Sequence, residues 1–293
     1  MTETFRVVSF GARSEDTRRK EVRRALGEAG AVVVREETHD DDRYSVANLT
    51  VSFDGALEEL RRAVAPLVSE HTGIAVVPPS LLGKETKLLI MDVDSTLIKQ
   101  EVIELLAAHA GREAEVAAVT ESAMRGELDF AQSLHARVAV LAGLEEEVIS
   151  DVGTRIELSD GAEHLVEAFL ESGHVVAVVS GGFSQILEPL AARLQLTHSK
   201  ANLLGVDAGT LTGTVIGPVV DRAEKARCLR AWAEAAGIPL DRTIAVGDGA
   251  NDLDMLAAAG LGVAFNAKPA VRSAADVAVD FQYLDVVRHF VTL

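Results

Sequence analysis

The first part of the chain, up to about residue 83, alternates between β-rich and amphipathic segments. Four β-rich segments predict strands and two segments with helical spacing predict helices, in the order βαββαβ: 5–10, 16–30, 31–39, 44–53, 56–73 and 74–78. A hairpin is predicted around DDDR at 40–43, and Gly30 is a predicted helix C-cap. This order of elements is typical of a ferredoxin-like fold.

The second part of the chain has a different pattern, in which short apolar runs alternate with helical segments. Strands are predicted within 87–96 and at 174–180, 243–247 and 261–265, with stretches of helical spacing between them. Strands that alternate with helices in this way predict an α/β fold with a doubly wound parallel sheet.

The segment from 99 to about 152 interrupts this alternation, because it contains no strand pattern. Four short helical stretches occupy it, and they are separated at Gly111, Gly126 and Gly143. We predict an all-helical insertion there, which forms a small cap over the end of the first strand of the second part.

The stretch VVPPSLLGKE at 76–85 lies between the two patterns. Its two prolines, serine and glycine are typical of a loop. We therefore predict two domains, 1–83 with the βαββαβ order and 84–293 with the α/β order and the helical cap.

The chain of 293 residues is strongly acidic, with a net charge of −17, and 48% of its residues are hydrophobic. So acidic a protein repels phosphate backbones and anionic lipids, which disfavours nucleic acid and membranes as partners. A phosphorylated small molecule is compatible with this charge, because a site can neutralise phosphate locally. We expect a soluble, cytoplasmic protein, since Cys228 has no disulfide partner and no signal sequence or membrane-spanning run is visible.

Two acidic residues, Asp92 and Asp94, follow the first strand of the second part. Side chains two positions apart in an extended chain point to the same side. Ligands of open α/β sheets bind at the carboxyl ends of the strands, which is where this pair lies. An acidic loop or a helix N-cap is the alternative interpretation.

Ser180, Gly181 and Gly182 follow the next strand and precede a helix. A hydroxyl and unhindered backbone N–H groups at a helix start form a cradle for phosphate, although such a triplet is also common in turns. Lys225 lies farther along on a predicted helix, where a solvated lysine is the simpler interpretation.

A third strand end carries Asp248, Asn251 and Asp252. The carboxylates of Asp248 and Asp252, together with those of Asp92 and Asp94, would form a cluster of hard oxygen ligands that suits Mg²⁺.

The motifs DVDST, SGG, a lysine and GDGAND occur in that order and resemble the four motifs of the haloacid dehalogenase-like phosphatases, over essentially all of 85–293. Within that superfamily, the segments at 91–107 and 124–144 resemble those of the phosphoserine phosphatases. The resemblance implies hydrolysis of O-phospho-L-serine to L-serine and phosphate, the last step of serine biosynthesis.

The resemblance also implies roles for the acidic residues. Asp92 is the expected nucleophile, which forms an aspartyl-phosphate, and Asp94 is the expected general acid and base. The expected Mg²⁺ ligands are the Asp92 carboxylate, the Asp94 backbone carbonyl and Asp248, with Asp252 supporting them.

Other roles implied by the resemblance concern the substrate. Ser180, the Gly181 N–H and Lys225 are expected to bind the phosphoryl oxygens, and Asn251 is expected to lie near the substrate. Glu101 matches the family's ligand for the ammonium group and Arg137 its ligand for the carboxylate. Without the resemblance, surface helix charges would be the simpler interpretation of both residues.

The βαββαβ part resembles the ACT-type amino-acid-sensing domains in the order of its elements. Its first loop, GARSEDTRR at 11–19, lacks the proline of the usual ligand turn. Dimerisation, giving a homodimer, or bracing of the cap is therefore at least as good an interpretation as sensing. Two other functions stay open: a different phosphatase or phosphotransferase of the same superfamily, and a non-catalytic serine sensor.

Overall fold

The computed structural model describes residues 2–11, 16–40, 42–69, 72–125 and 127–293. Its first sheet consists of β1 (Glu3–Gly11), β2 (Val32–Asp40), β3 (Ser45–Phe53) and β4 (Thr72–Val77), joined in part by helices α1 (Asp16–Glu28) and α2 (Leu57–Val64). The strands pair antiparallel in the order β2-β3-β1-β4. This is the predicted βαββαβ arrangement, and it is consistent with a ferredoxin-like domain.

Helix α2 is shorter than the sequence pattern predicts. A helix is expected over 56–73, whereas α2 ends at Val64 and a 3₁₀ turn occupies Ala65–Leu67. Pro66 lies in that turn, and a proline disfavours continuation of an α-helix because it lacks an N–H and crowds the preceding turn. The end of α1 matches its prediction more closely, because Gly30 has a φ of +86° just beyond it.

The two faces of the first sheet pack against different parts of the chain. Helices α1 and α2 cover one face with a small core of their own. On the other face, Phe10 and Tyr44 join the core of the second part. The Phe10 ring lies 5.8 Å from the ring of Phe281 and 5.6 Å from that of Phe290. Both faces are therefore covered over most of β1, β3 and β4, whereas β2 at the edge of the sheet is largely exposed.

The second sheet has seven strands: β5 (Leu88–Met91), β6 (Val175–Phe183), β7 (His198–Asp207), β8 (Thr210–Ile216), β9 (Thr243–Gly247), β10 (Leu261–Phe265) and β11 (Val277–Val279). Their order is β11-β10-β9-β5-β6-β7-β8, and neighbours pair in parallel except β7 and β8, which are antiparallel. The predicted parallel α/β sheet is confirmed, and β5, which precedes Asp92, lies at its centre.

Four helices form the insertion after β5: α3 (Val102–His109), α4 (Glu113–Met124), α5 (Phe130–Ala139) and α6 (Glu147–Gly153). The predicted helical cap is therefore present. Gly111 and Gly143 take positive φ values of +66° and +82° at two of the predicted breaks. Gly126 lies outside the described residues, as do 12–15 of the first loop and 41 of the predicted hairpin turn.

The remaining helices are α7 (Ala162–Glu171), α8 (Ser184–Arg193), α9 (Arg222–Ala235), α10 (Leu253–Ala258) and α11 (Pro269–Ala274). Alternate residues of β5 enter two different cores, because Leu89 and Met91 pack in one cluster and Leu88 and Ile90 in another. A sheet with a core on each face is what the doubly wound pattern requires.

Strands β7 and β8 form a hairpin that the sequence analysis did not predict. Ala208 and Gly209 connect them with φ values of +48° and +78°. The hairpin reaches the cap, because the Gly143 N–H donates to the Leu211 carbonyl at 2.9 Å. The cap is therefore braced by a part of the second sheet as well as by its own helices.

A buried carboxylate lies where the first sheet meets the second part. Asp285 is fully buried, and its Oδ2 accepts a hydrogen bond from the Tyr44 hydroxyl at 3.0 Å. Arg43 and His164 also contact this oxygen, at 3.0 Å and 3.2 Å. The division into domains at residue 83 stays a prediction, since these contacts and a shared core join the two sides.

Candidate active site

The carboxyl end of β5 carries Asp92 and Asp94. The backbone of Asp92 is extended, with φ −65° and ψ 165°, and its N–H donates to the Val246 carbonyl of β9 at 2.9 Å. Ser95 then takes a left-handed φ of +56°, so the chain turns away from the sheet directly after the second carboxylate. Both carboxylates line the same cavity.

Asp94 accepts hydrogen bonds at both carboxylate oxygens. Its Oδ2 accepts from the Ser180 hydroxyl at 2.8 Å, and its Oδ1 accepts from the Val102 N–H at 2.8 Å. Burial and the charge of Glu101 raise the pKa of Asp94, although both hydrogen bonds act in the opposite direction. A carboxyl group with a raised pKa keeps its proton to higher pH, so it can donate that proton to a reacting group.

Lys225 lies fully buried on α9 between two carboxylates. Its Nζ is 2.7 Å from Oδ1 of Asp92 and 2.7 Å from Oδ1 of Asp252. Burial alone would lower the pKa of Lys225, but the two carboxylates outweigh burial and raise it. For Asp92, burial and the charge of Asp252 raise the pKa, and Lys225 opposes them. The lysine is therefore not a solvated helix residue.

Three acidic side chains converge beside this lysine. Ligand oxygens of Asp92, Asp248 and Asp252 all lie within 4.8 Å of one another. Burial and the neighbouring Asp252 raise the pKa of Asp248 to about 6, although the Thr96 hydroxyl donates to its Oδ1 at 3.2 Å. Carboxylates that crowd in this way repel one another, and a divalent cation with a preference for oxygen ligands would relieve the repulsion. The residues therefore fit a metal ion.

The SGG turn at the end of β6 comes close to Asp94. The Gly182 N–H donates to the Ser180 hydroxyl oxygen at 2.7 Å, and the turn leads into α8. A Cβ atom at position 182 would lie 2.8 Å from Asp94 Oδ2. Only glycine fits so close to the carboxylate, which explains the second glycine of the motif.

The cap supplies the opposite wall of the cavity. Glu101 is the N-cap residue of α3 and accepts from the Ser95 hydroxyl at 2.8 Å. Arg137 lies half-buried on α5, where burial lowers its pKa and the charge of Glu101 opposes that shift. The cap also approaches the core, since a Cβ atom at Gly181 would lie 3.0 Å from the Phe130 ring.

The cavity between cap and core has a volume of about 360 Å³, and the residues that line it are Asp92, Asp94, Glu101, Ile103, Thr120, Ala123, Leu128, Asp129, Phe130, Ser133, Leu134, Arg137, Gly181, Gly182, Phe183, Asp248, Gly249, Ala250, Asn251 and Lys268. Acidic groups occupy the core wall, and apolar side chains with one guanidinium occupy much of the cap wall. A small molecule that enters would therefore be enclosed from both sides.

The sequence model of the family described as haloacid dehalogenase-like hydrolase matches residues 89–257. This chain belongs to the haloacid dehalogenase-like hydrolases. This hydrolase is 54% identical to the phosphoserine phosphatase of Streptomyces coelicolor over 247 residues, which are 84% of this chain and 60% of that protein. It is also 50% identical to the phosphoserine phosphatase of Streptococcus thermophilus over 185 residues, 63% of this chain and 86% of the relative.

A solved structure resembles the hydrolase over nearly its whole length. The crystal structure of a probable phosphoserine phosphatase from Vibrio cholerae has a TM-score of 0.77 and 35% sequence identity, and covers 97% of this chain and 85% of its own. The hydrolase chain spans about three fifths of the length of the Streptomyces relative. The chain is therefore similar to phosphoserine phosphatases in both sequence and fold, in addition to its membership of the wider family.

The structure of the hydrolase brings all the predicted site residues together. Those that line the cavity are Asp92, Asp94, Glu101, Arg137, Gly181, Asp248 and Asn251. The side chains of Ser180 and Lys225 lie behind that lining, where they contact carboxylates. Asp252 lies behind it as well and accepts from the Gly249 N–H at 3.0 Å.

Several cavity residues of the hydrolase were not predicted, among them Phe130 and Lys268. Phe130 lies within the segment 124–144 that carries the resemblance, but neither its spacing nor its residue type marked it as a cavity residue, and no motif of the sequence included Lys268. Cys228 is buried, and Trp232 is half-buried with its ring stacked on that of His198 at a centroid distance of 5.2 Å.

Among the described residues, no helix is long and apolar enough to cross a membrane.

Proposed function

We propose that this hydrolase is a phosphoserine phosphatase, which uses Mg²⁺ to convert O-phospho-L-serine to L-serine and phosphate as the last step of serine biosynthesis. The observation that carries the proposal is one cavity with Asp92 and Asp94 on its core wall and Glu101 and Arg137 on its cap wall. Similarity to the phosphoserine phosphatases of two bacteria supports it.

The two aspartates at the end of β5 carry out the chemistry in this proposal. Lys225 and the Val93 N–H both contact Oδ1 of Asp92, so Oδ2 is the atom that attacks phosphorus. The bond from phosphorus to the serine oxygen breaks as Asp94 donates its proton to that oxygen. Asp94 then takes a proton from water, whose oxygen attacks phosphorus and releases the Asp92 carboxylate.

The phosphoryl group is bound by Ser180, the Gly181 N–H and Lys225, and Asn251 hydrogen-bonds beside it. Positive charge and fixed donors around the phosphoryl oxygens supply most of the rate enhancement in such reactions. Lys225 is fully buried behind the Asp92 carboxylate, so its positive charge would reach the phosphoryl group from that side of the cavity.

Mg²⁺ is held by the Asp92 carboxylate, the Asp94 backbone carbonyl and Asp248, and Asp252 supports this set. When bound, the ion neutralises charge on the phosphoryl oxygens and on the crowded carboxylates. The carboxylates of Asp92, Asp248 and Asp252, here called the acidic triad, support this assignment. One ligand oxygen from each of them lies within 4.8 Å of the other two.

The cap selects the amino acid. Glu101 binds the ammonium group, and the Ser95 hydroxyl holds the Glu101 carboxylate in place. Arg137 binds the carboxylate of the substrate, since its planar guanidinium can donate to two oxygens at once. Phosphoserine carries both groups beyond its phosphate, and a generic phosphate ester carries neither.

The first sheet forms a separate domain, residues 1–83, in this proposal, and residues 84–293 form the catalytic domain. We assign the first domain a role in bracing the catalytic part, which the packing of Phe10 and Tyr44 on residues 281–291 supports. A cytoplasmic location is proposed as well, because Cys228 is a buried free thiol.

A substrate panel tests the proposal. Phosphate release from L-phosphoserine, phosphothreonine, 3-phosphoglycerate and phosphoglycolate is measured with Mg²⁺ and with EDTA. We expect Mg²⁺-dependent activity that is highest on phosphoserine, and its absence would refute the proposal. Asp92→Asn should abolish turnover of every substrate without unfolding the protein. Transfer of phosphate to an added alcohol in place of water would identify a phosphotransferase.

The cap residues separate a phosphoserine enzyme from a generic phosphatase. A charge-assisted contact contributes roughly 1.5–3 kcal/mol, which is about 10- to 150-fold in specificity. Arg137→Ala and Glu101→Gln should each lower kcat/KM for phosphoserine by about that factor. Neither should much affect hydrolysis of para-nitrophenyl phosphate, which has no amino-acid groups. Loss of the Glu101 charge also lowers the pKa of Asp94, but nitrophenolate is a weak base that leaves without a proton from Asp94. Equal losses on both substrates would mean that these residues support the fold or the chemistry instead.

A further inference from the structure

The regular pairing of β6 with β7 is interrupted at the phosphate-binding turn. Val179 pairs with Lys200, and the next pair joins Phe183 to Asn202. Three residues of β6, at 180–182, therefore lie opposite a single residue of β7. Their backbone groups leave the ladder and need other partners, because buried peptide groups are costly without hydrogen bonds.

The Asn202 side chain supplies one of these partners. Asn202 is buried, with 1% of its surface exposed, and its Nδ2 donates to the Gly181 carbonyl at 2.8 Å. The Gly182 N–H at the other end of the same peptide donates to the Ser180 hydroxyl oxygen at 2.7 Å. The peptide between the two glycines is thus fixed at both ends, and Ser180 in turn donates to Asp94.

The other end of the same amide reaches a second phosphate-binding element. Asn202 Oδ1 accepts from the Val220 N–H at 2.8 Å. Val220 directly precedes Asp221, the N-cap residue of α9, whose carboxylate accepts from the Glu224 N–H at 2.8 Å. Helix α9 carries Lys225 one residue later. A single buried amide therefore links the glycine turn to the start of the helix that carries the buried lysine.

We propose that Asn202 is a positioning residue, which holds the Gly181–Gly182 peptide and the start of α9 in the orientation that binds the phosphoryl group. This role rests on the proposed function, because it concerns the same phosphoryl site. It differs from the roles of Glu101 and Arg137, because Asn202 acts on the phosphate and not on the amino-acid end. Its loss should therefore affect all phosphate esters alike.

The variant that tests this role is Asn202→Asp. The carboxylate has nearly the same size and can still accept from the Val220 N–H, but it cannot donate to the Gly181 carbonyl. We expect kcat/KM to fall by about 10- to 100-fold on phosphoserine and on para-nitrophenyl phosphate alike, which corresponds to about 1.4–2.8 kcal/mol. The inhibition constant of inorganic phosphate, measured with Mg²⁺, should rise by a similar factor.

Gln185→Glu is the matched control. Gln185 also uses both ends of its side-chain amide, but on the backbone of β7: its Nε2 donates to the Leu204 carbonyl at 2.8 Å and its Oε1 accepts from the Leu204 N–H at 3.2 Å. It has the same lost donation and the same added charge, but it does not touch the glycine turn. Phosphate inhibition should therefore stay within about twofold of the wild type in this control.

Asn202→Ser guards against a folding failure, because it adds no charge and keeps a smaller donor. Thermal unfolding identifies which variants are folded. A folded Asn202 variant with an unchanged phosphate inhibition constant, or one that matches Gln185→Glu, would overturn the positioning role. Failure of the proposed function is distinct, since wild-type protein would then release phosphate from para-nitrophenyl phosphate but not from phosphoserine.

Discussion

Lys225 and Lys200 both contact carboxylates, but they differ in burial, so their ion pairs should contribute very different amounts to the free energy of unfolding. Lys225 is fully buried and contacts Asp92 and Asp252, each at 2.7 Å. Lys200 contacts Glu224, but 40% of its side chain is exposed. A charge that loses its partner in the interior cannot be solvated, whereas water compensates the same loss at the surface.

Lys225→Met should therefore destabilise the metal-free protein by about 3–5 kcal/mol, because two buried carboxylates lose their cation. The measurement is urea unfolding in EDTA. Addition of Mg²⁺ should restore part of the loss, since a cation at the acidic triad neutralises the same carboxylates. Lys200→Met is the control and should cost no more than about 1 kcal/mol. Similar losses for the two variants would contradict this account.

Cys228 gives a prediction of pH dependence. Burial raises the pKa of this thiol to about 11; the positive charge of Lys200 opposes the shift, and the neighbouring Glu224 adds to it. Only the thiolate reacts with iodoacetamide, and a raised pKa lowers the thiolate fraction at any pH below it. In the folded protein, labelling at pH 8 should be at least about 100-fold slower than in urea-unfolded protein, where the pKa is about 8.5. The folded-state rate should still rise between pH 8 and 10, and a plateau below pH 9 would contradict the raised pKa.

The sequence was sufficient to predict the acidic residues of the site, but not several of the residues that surround them. Asp92 and Asp248 follow strands whose carboxyl ends must meet at one edge of a parallel sheet. Asn202 follows no such rule, because its role depends on the irregular pairing of a strand that the pattern did not reveal. Phe130 likewise reaches the cavity through the packing of the cap, which spacing along the chain does not encode.

At the scale of elements, the hairpin of β7 and β8 fits closely against the cap. A Cβ atom at Gly213 would lie 2.7 Å from Cβ of Ala142 and 3.3 Å from Cα of Ala139. Gly213 also has a φ of +74°. The sequence did not predict this hairpin, because the turn uses Ala208 before Gly209 instead of the asparagine or aspartate that usually marks it.

Gly213→Ala should lower the free energy of unfolding by about 2–4 kcal/mol, because the left-handed φ and the clash with Ala142 each cost about 1–2 kcal/mol. Gly217→Ala is the matched control, because Gly217 has a φ of +81° and a Cβ atom there would meet no other atom within 4 Å. It should lose only the cost of the backbone conformation. Thermal or urea unfolding measures both, and equal losses would show that the hairpin does not press on the cap.

At the scale of the whole molecule, the contact between the first sheet and the second part depends on a buried polar group. Tyr44 donates to Asp285, which is fully buried and lies far along the chain. The sequence pattern predicted the strands of the first sheet and four of the seven strands of the second sheet, each sheet separately. It could not predict their contact, because the faces that meet differ little in pattern from faces that cover helices.

Tyr44→Phe should destabilise the protein by about 1–3 kcal/mol, since it leaves an oxygen of buried Asp285 with one donor fewer. Tyr283→Phe in the same aromatic cluster is the control, because its hydroxyl is not the one that meets Asp285. Urea unfolding should show the larger loss for Tyr44→Phe. Equal stability of the two variants would mean that the hydroxyl of Tyr44 contributes nothing to the contact.

The face of the first sheet that packs on residues 281–291 cannot be covered until late in the synthesis of the chain. Phe10 packs on Phe281 and Phe290, which are synthesised roughly 270 residues later. Translation at roughly 5–20 residues per second separates these residues by roughly 14–54 s. The sheet can form within that interval, but its apolar face stays uncovered. Nascent chains are therefore most prone to aggregate, and most dependent on chaperones, until residues 281–291 emerge.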